Sequence, residues 1–139
     1  MMTLIEQLKR DEGFKAHAYE DSEGWWTIGY GTLIDHRKGG AIPEDIADLL
    51  LRRKADEACA WLSKTLPWTD NLDAVRRSGL QNMAYNMGGK LLEFKKMLAA
   101  LQAGDYKTAA DEMRDSLWEK QTGPRAHRLA LQIETGEVQ

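Results

Sequence analysis

Apolar residues in this chain recur mostly at intervals of three and four, and one stretch near the N-terminus breaks that rhythm. Thr3-Leu4-Ile5-Glu6 has the form of a capping box, in which a threonine oxygen accepts a first-turn amide and a glutamate three places on reaches back. Leu4, Ile5 and Leu8 then fall on one side of a short helix, which brings Glu12 to its end, where Gly13 stops it. Ala18-Tyr19 and the run from Trp25 to Tyr30 have strand-like content around Asp21-Ser22-Glu23-Gly24, a turn sequence ending in glycine. This reads as a β-hairpin with Asp21 at its turn and Thr27 within its second strand.

Helical periodicity then returns. Arg37-Lys38-Gly39-Gly40 is a loop, Pro43 opens a long helix, and Ile46, Leu49, Leu50 and Leu62 recur along it toward Pro67. Further helices are predicted over 72–87, closed by Gly88-Gly89; over 91–102, closed by Gly104; and over 106–113, starting near Asp105. Gly123-Pro124 breaks the chain before a last helix, which carries Arg125, Arg128, Leu129, Ala130 and Ile133 and ends by Gly136. The expected fold is α+β, a small antiparallel β-hairpin lobe joined by a long helix to a helical lobe.

At 139 residues, 42% hydrophobic and 29% charged, the chain is long enough for one domain with a real core. No internal repeat appears, and the longest apolar runs fall far short of the roughly 18 to 20 residues of a membrane span. Met1-Met2-Thr3-Leu4-Ile5-Glu6 has no cationic segment before an apolar one, so no export signal is expected. The single cysteine, Cys59, sits between Ala58 and Ala60 in a helical stretch and reads as a small filler; it has no internal partner for a disulfide, which fits a reducing cytoplasm. Residues 1–60 hold 8 basic against 12 acidic side chains, a balance of −4, and residues 61–139 hold 11 against 10, or +1. The total of −3 disfavours nucleic acid as a partner. His17, His36 and His127 lack the spacing of a zinc site, and Gly29 and Gly31 follow a strand but open no helix, so neither metal nor nucleotide cofactor is implied.

The chemistry is concentrated in Glu12, Asp21 and Thr27, a carboxyl pair and a hydroxyl within one short run. Cleaving a sugar–sugar bond needs one carboxylic acid to protonate the leaving oxygen and one carboxylate to handle a water or the oxocarbenium charge across the ring. Gly29 and Gly31 remove side chains where a ligand approaches the backbone. A Glu and an Asp nine residues apart are common in soluble chains, so the surroundings decide.

Asp11-Glu12-Gly13, Tyr19-Glu20-Asp21-Ser22-Glu23-Gly24 and Thr27-Ile28-Gly29-Tyr30-Gly31 resemble the catalytic signature of the phage lysozymes (endolysins) of the T-even type, glycoside hydrolase family 24. Asp73-Ala74-Val75-Arg76-Arg77, Asn82-Met83-Ala84-Tyr85-Asn86-Met87-Gly88 and Leu117-Trp118-Glu119-Lys120-Gln121-Thr122-Gly123-Pro124-Arg125 resemble that family's central helix and C-terminal segment, in the same order. The resemblance implies a single lysozyme-like domain, 1–139, with the β-containing lobe at about 13–60 and the helical lobe at about 61–139 together with the N-terminal helix 3–12. It implies Glu12, Asp21 and Thr27 as the catalytic set, and Gly31, Leu33, Tyr85, Asn86 and Phe94 as cleft residues. It also places Arg125 against Glu12 and Arg128 against Asp11. Thr32, Asn86, Met97 and Glu112 depart from the T-even pattern, and the loop after Asp35 is shorter; these bear on saccharide contacts and not on Glu12, Asp21 or Thr27.

Several of these side chains have a plainer reading. Tyr85, Phe94 and Met97 at helical spacings suit a core as well as a cleft. Trp25, Trp26, Trp61, Trp68 and Trp118 offer sugar-stacking surfaces, but most are expected in the core. Asn82 is read as a polar helix residue. Arg76, Arg77, Lys95, Lys96, Arg125 and Arg128 would oppose the acidic hairpin, although a solvated helical face accounts for most of them.

The function implied is that of a peptidoglycan muramidase for phage or prophage lysis, cutting β-1,4 bonds between N-acetylmuramic acid and N-acetylglucosamine. Its partners would be the glycan strands of peptidoglycan, with no nucleic acid and no membrane. It would act as a monomer made in the host cytoplasm, reaching the periplasmic wall after a pore-forming protein permeabilises the membrane. The alternatives are a lytic transglycosylase, which needs one acid and no second carboxylate, and a non-catalytic wall-binding module on the same scaffold.

Overall fold

A computed structural model describes residues 3–20, 22–30, 32–35, 42–116 and 123–139. Asp21, Gly31, the loop 37–40 and Trp118 therefore lie outside the described residues. The chain forms two compact units, Met1–Leu50 and Leu51–Gln139.

In the first unit, α1 (Leu4–Glu12) begins with the expected capping box. The Thr3 hydroxyl oxygen accepts from the Glu6 amide at 3.2 Å, and the Glu6 carboxylate accepts from the Thr3 amide at 2.7 Å. That returned bond, to the Thr3 backbone first and its hydroxyl second, holds the Glu6 carboxyl below its ordinary range. Gly13 closes the helix at φ 69, a backbone region open to glycine, and its amide donates to the Lys9 carbonyl at 3.0 Å. The chain then turns into β1 (Lys15–Glu20), β2 (Trp26–Gly29) and β3 (Thr32–Asp35), an antiparallel sheet in the order β1-β2-β3. The hairpin is thus extended by a third strand, Thr32–Asp35, which pairs antiparallel back onto β2. Phe14 and Tyr30 stack at 5.5 Å, and the Lys9 ammonium lies 5.6 Å from the Tyr30 ring, so α1 and the sheet meet over that tyrosine.

α2 (Glu44–Thr65) runs through the boundary between the units. The Pro43 carbonyl accepts from Ala47 at 3.1 Å, as a proline at a helix entrance permits. Leu62 is buried on this helix, whereas Ile46, Leu49 and Leu50 are exposed. A 3₁₀ turn, Pro67–Asn71, leads to Asp73, which caps α3 (Ala74–Met87) by accepting from the Arg76 amide at 3.0 Å. The helix predicted over 91–102 begins only at Lys95: Gly88–Glu93 forms a second 3₁₀ turn that drives Leu91 fully into the core. α4 (Lys95–Gln102), α5 (Tyr106–Arg114) and α6 (Pro124–Thr135) complete the unit, with Asp105 capping α5.

The core lies in this second unit. Leu62, Leu80, Met83, Leu91, Met97, Leu101, Met113 and Ile133 are essentially inaccessible, each contributing about 1.5–3 kcal/mol by removal from water. α4 packs on α5, and α6 packs on both α5 and α3. Gly79 lets α3 approach α6 closely, since a Cβ there would stand 3.2 Å from Ile133. Arg76 ties the same two helices: its guanidinium donates to the Ile133 carbonyl at 2.7 Å, to the Glu134 carbonyl at 3.1 Å and to Asp73 at 3.1 Å. It also lies 3.6 Å over the Tyr106 ring. Two of the carbonyls at the C-terminus of α6 are thereby satisfied. Arg76 is therefore a structural clasp and not one of the cations on an open face. The tryptophans divide: Trp61 and Trp68 pack against the core, Trp25 is half-buried with its indole N–H on Glu23 at 3.2 Å, and Trp26 is exposed.

Candidate active site

Glu12 is the last residue of α1, exposed, and followed at once by the glycine that turns the chain into β1. Its backbone is fixed from two sides, by the Gly13 bond to Lys9 and by the Phe14–Tyr30 contact with the sheet. Thr27 lies on β2, opposite Tyr19 on β1 and Leu33 on β3. At 5% exposure it is the buried polar residue of the first unit among the described residues. Its hydroxyl donates to the Trp25 carbonyl at 3.2 Å. The proton of Thr27 being so engaged, the oxygen's lone pairs are left to accept from a water or a substrate hydroxyl.

The other expected residues are distributed as follows. Asp21 follows the last residue of β1 in sequence and, like Gly31, lies outside the described residues. Leu33 is in β3, its backbone paired with Thr27. Asp11 accepts from its neighbour Arg10 at 2.7 Å on an exposed face, a pair of little energetic weight. In the second unit, Tyr85 and Asn86 are exposed on the last turn of α3, and Phe94 is half-buried against the core at the entrance to α4.

These residues do not share one hollow. Phe94 and Met97 border a hollow of about 440 Å³ with Lys95, Lys96 and Glu112. Tyr85 is the wall between two others. One, of about 350 Å³, is bordered by Cys59, Ser78, Asn82 and Arg125; the second, of about 270 Å³, is bordered by Trp61, Ala84, Gly88 and Gly89. Met97 itself is core, as its plainer reading has it.

Arg125 shows what sequence reading missed. Its Nε and terminal nitrogen both donate to the Asn82 side-chain oxygen, at 3.0 and 2.7 Å. Asn82 is therefore the residue that sets the direction of this guanidinium across 43 positions of sequence. Nothing in the spacing of a helical asparagine announces a partner so remote, whereas its place in the matched block Asn82–Gly88 was a signal. Arg128 is exposed one helical turn further on.

Among the described residues, no three His, Cys, Asp or Glu side chains gather as a metal site would need, and no helix is long and apolar enough to cross a membrane.

Comparison with known proteins places these residues in a context. The chain matches the phage lysozyme family over residues 9–132. It is 34% identical to the pre-baseplate central spike protein Gp5 of Enterobacteria phage T4 over 99% of its own length, but it spans only 28% of that protein. It is 32% identical to probable T4-type lysozyme 1 of Dictyostelium discoideum, covering 98% of this chain and 96% of that one. An endolysin of Acyrthosiphon pisum secondary endosymbiont phage 1 is 29% identical over 76% of this chain and 70% of its own. A match running from α1 into α6, with a full-length relative above 30% identity, makes the chain a member of the phage lysozyme family.

Proposed function

We propose that this chain is a peptidoglycan muramidase of the endolysin kind, hydrolysing the β-1,4 bond between N-acetylmuramic acid and N-acetylglucosamine within one lysozyme domain. The observation that carries the reading is the pairing, in one compact unit of a phage lysozyme family member, of an exposed glutamate at a helix end with a buried threonine whose hydroxyl proton is already committed.

In this mechanism Glu12 donates its proton to the glycosidic oxygen as the C–O bond breaks. A water on the opposite face of the ring attacks the anomeric carbon. Thr27 accepts one of that water's hydrogens and Asp21 takes the other, so the oxygen lone pair points at the sugar. Each group has one task, and the configuration at the anomeric carbon inverts. The two carboxyl groups then stand roughly 6.5–9.5 Å apart, not the roughly 5–5.5 Å of a nucleophilic pair. Gly31, Leu33, Tyr85, Asn86 and Phe94 would border the glycan, while Arg125 orients Glu12 and Arg128 meets Asp11. The enzyme would work as a monomer, and a separate pore-forming protein would give it access to the wall.

Glu12→Gln tests the reading. The variant should melt as the parent does and lose about a hundred- to ten-thousandfold in wall lysis, the usual worth of a general acid. Proton NMR of a parent digest, read before mutarotation, should show the α anomer first. Undiminished lysis by Glu12→Gln overturns the acid, β product first overturns the water mechanism, and a product closed on its own hydroxyl identifies a transglycosylase.

A further inference from the structure

The entrance and first half of α2 lie open to solvent: every residue from 42 to 54 is exposed. Helical spacing divides this stretch into two faces. Leu51 and Ala55 continue into Ala58, Cys59 and Leu62, the side on which α2 packs within the second unit. Ile46, Leu49 and Leu50 share the opposite side, at 42, 63 and 51% exposure, and Arg53 follows one turn on. Three neighbouring large aliphatics left uncovered among the described residues are more than the scattered apolar groups of an ordinary surface. The charges beside them are sorted along the chain. Glu44, Asp45 and Asp48 come first, and Arg52-Arg53-Lys54 follows. Acids in a first turn suit a helix N-terminus, but three consecutive cations at mid-helix answer to no dipole. Arg53 meets Glu57 at 3.2 Å on the surface, a pair weak enough to exchange partners.

We propose that this face of α2 receives the same face of a second copy of the chain, in an antiparallel pair about a two-fold axis. Such an axis between Ala47 and Asp48 sets Ile46 of each copy against Leu49 of the other, with Leu50 beside them. The acidic stretch of each helix then runs along the basic stretch of its mate, and Asp45 meets Arg52 twice. A parallel pair would set like charge against like, so the charge order selects the antiparallel one. The contact is isologous, and it closes at two copies. An overlap of about a dozen residues is only about 18 Å of helix, short of a standard interface of about 1,600 Å², so the pair is a weak and reversible one. The pairing does not depend on the glycan-cleaving reading: cleavage is the work of one copy, and the pair is the form the chain takes in concentrated solution.

Sedimentation velocity of the full chain from about 10 μM to about 1 mM should show the monomer giving way to a dimer, with a Kd on the order of 100 μM. Leu49→Lys, at an exposed position, should melt as the parent does and weaken association at least tenfold. Leu51→Lys, on the other face of the same helix, should leave association unchanged. Asp45→Arg and Arg52→Asp should each abolish self-association, and an equimolar mixture of the two should restore it, because every charge contact in the mixed pair is again between opposite signs. A chain that stays monomeric throughout overturns the proposal. Equal loss in Leu49→Lys and Leu51→Lys overturns the face, and a mixture that fails to associate overturns the antiparallel order. A monomer that instead floats with vesicles of phosphatidylethanolamine and phosphatidylglycerol, and ceases to do so in Leu49→Lys, gives the face to a lipid surface and overturns the pairing.

Discussion

Arginines carry much of the specific geometry in this chain, and they do so in different ways. Arg125 makes a forked contact with one amide oxygen, a bond whose angular demands only a guanidinium meets. Because both nitrogens rest on Asn82, removing the asparagine should free the arginine without disturbing the α6 backbone. Asn82→Ala and Arg125→Met should each cost about 1 kcal/mol in urea denaturation, and the double variant should cost less than their sum by a similar amount, the mark of a coupled pair. Strict additivity would show that the contact contributes nothing in solution. This pairing was invisible to periodicity, which reports faces and not partners. Glu12 and Thr27 were singled out because their surroundings, Asp11-Glu12-Gly13 and Thr27-Ile28-Gly29, are a local pattern. Leu33, one strand further, came only from resemblance.

At the level of elements, the boundaries that were legible are those written in local chemistry. Thr3 with Glu6, Gly13, Asp105 and Gly136 all act where the sequence puts them, because a cap is satisfied within three or four residues. The 3₁₀ turn Gly88–Glu93 was missed because Leu91 obeys a tertiary demand: it fills the core, and that pull overrides the helical spacing of its neighbours. The capping carboxylate of α3 leads to a pH prediction. Burial acts to raise the Asp73 carboxyl, and the Arg76 amide, guanidinium and charge outweigh it, so Asp73 titrates below the usual carboxylate range. A carboxyl depressed in the folded chain adds stability that is present above its unfolded value, about 3.9, and is lost as pH falls through the folded value beneath it. Asp73→Asn keeps a good cap and removes the titration. Its melting temperature should lie slightly below the parent's at pH 6, and the gap should narrow as pH falls below 4. A gap that stays constant with pH would show that the carboxylate has no special partner.

Across the whole molecule, the two units differ in how they are held. The second has a continuous core of buried aliphatic and methionine side chains, while among the described residues of the first, Phe14, Tyr30 and Lys9 join α1 to the sheet and Ile5 and Leu8 are exposed. Local opening costs least where little apolar surface is buried. Amides of α1 and of β1–β2 should therefore exchange with deuterium at least tenfold faster than those of α3 and α6 in the free protein. Equal protection in both units would mean that the first is held by contacts stronger than these. The chemistry proposed for α1 and β2 would then sit on the more pliable of the two units.

The Arg76 clasp has a kinetic consequence. Its bond to the Ile133 carbonyl joins positions 57 residues apart, whereas α4 and α5 are chain neighbours joined only by residues 103–105. Closing the longer loop costs more chain entropy before any contact repays it, so the order of events during folding places the α4–α5 pair early and the α3–α6 seam late. A bond made late is absent from the transition state, and its loss is felt on the way out of the native state and not on the way in. Arg76→Met, which removes about 2 kcal/mol of charged hydrogen bonding, should therefore speed unfolding roughly thirtyfold and leave the refolding limb of a stopped-flow chevron almost unmoved. The clasp would then act as a latch on lifetime: it governs how long the helical unit stays closed, and has little to say about how fast it forms.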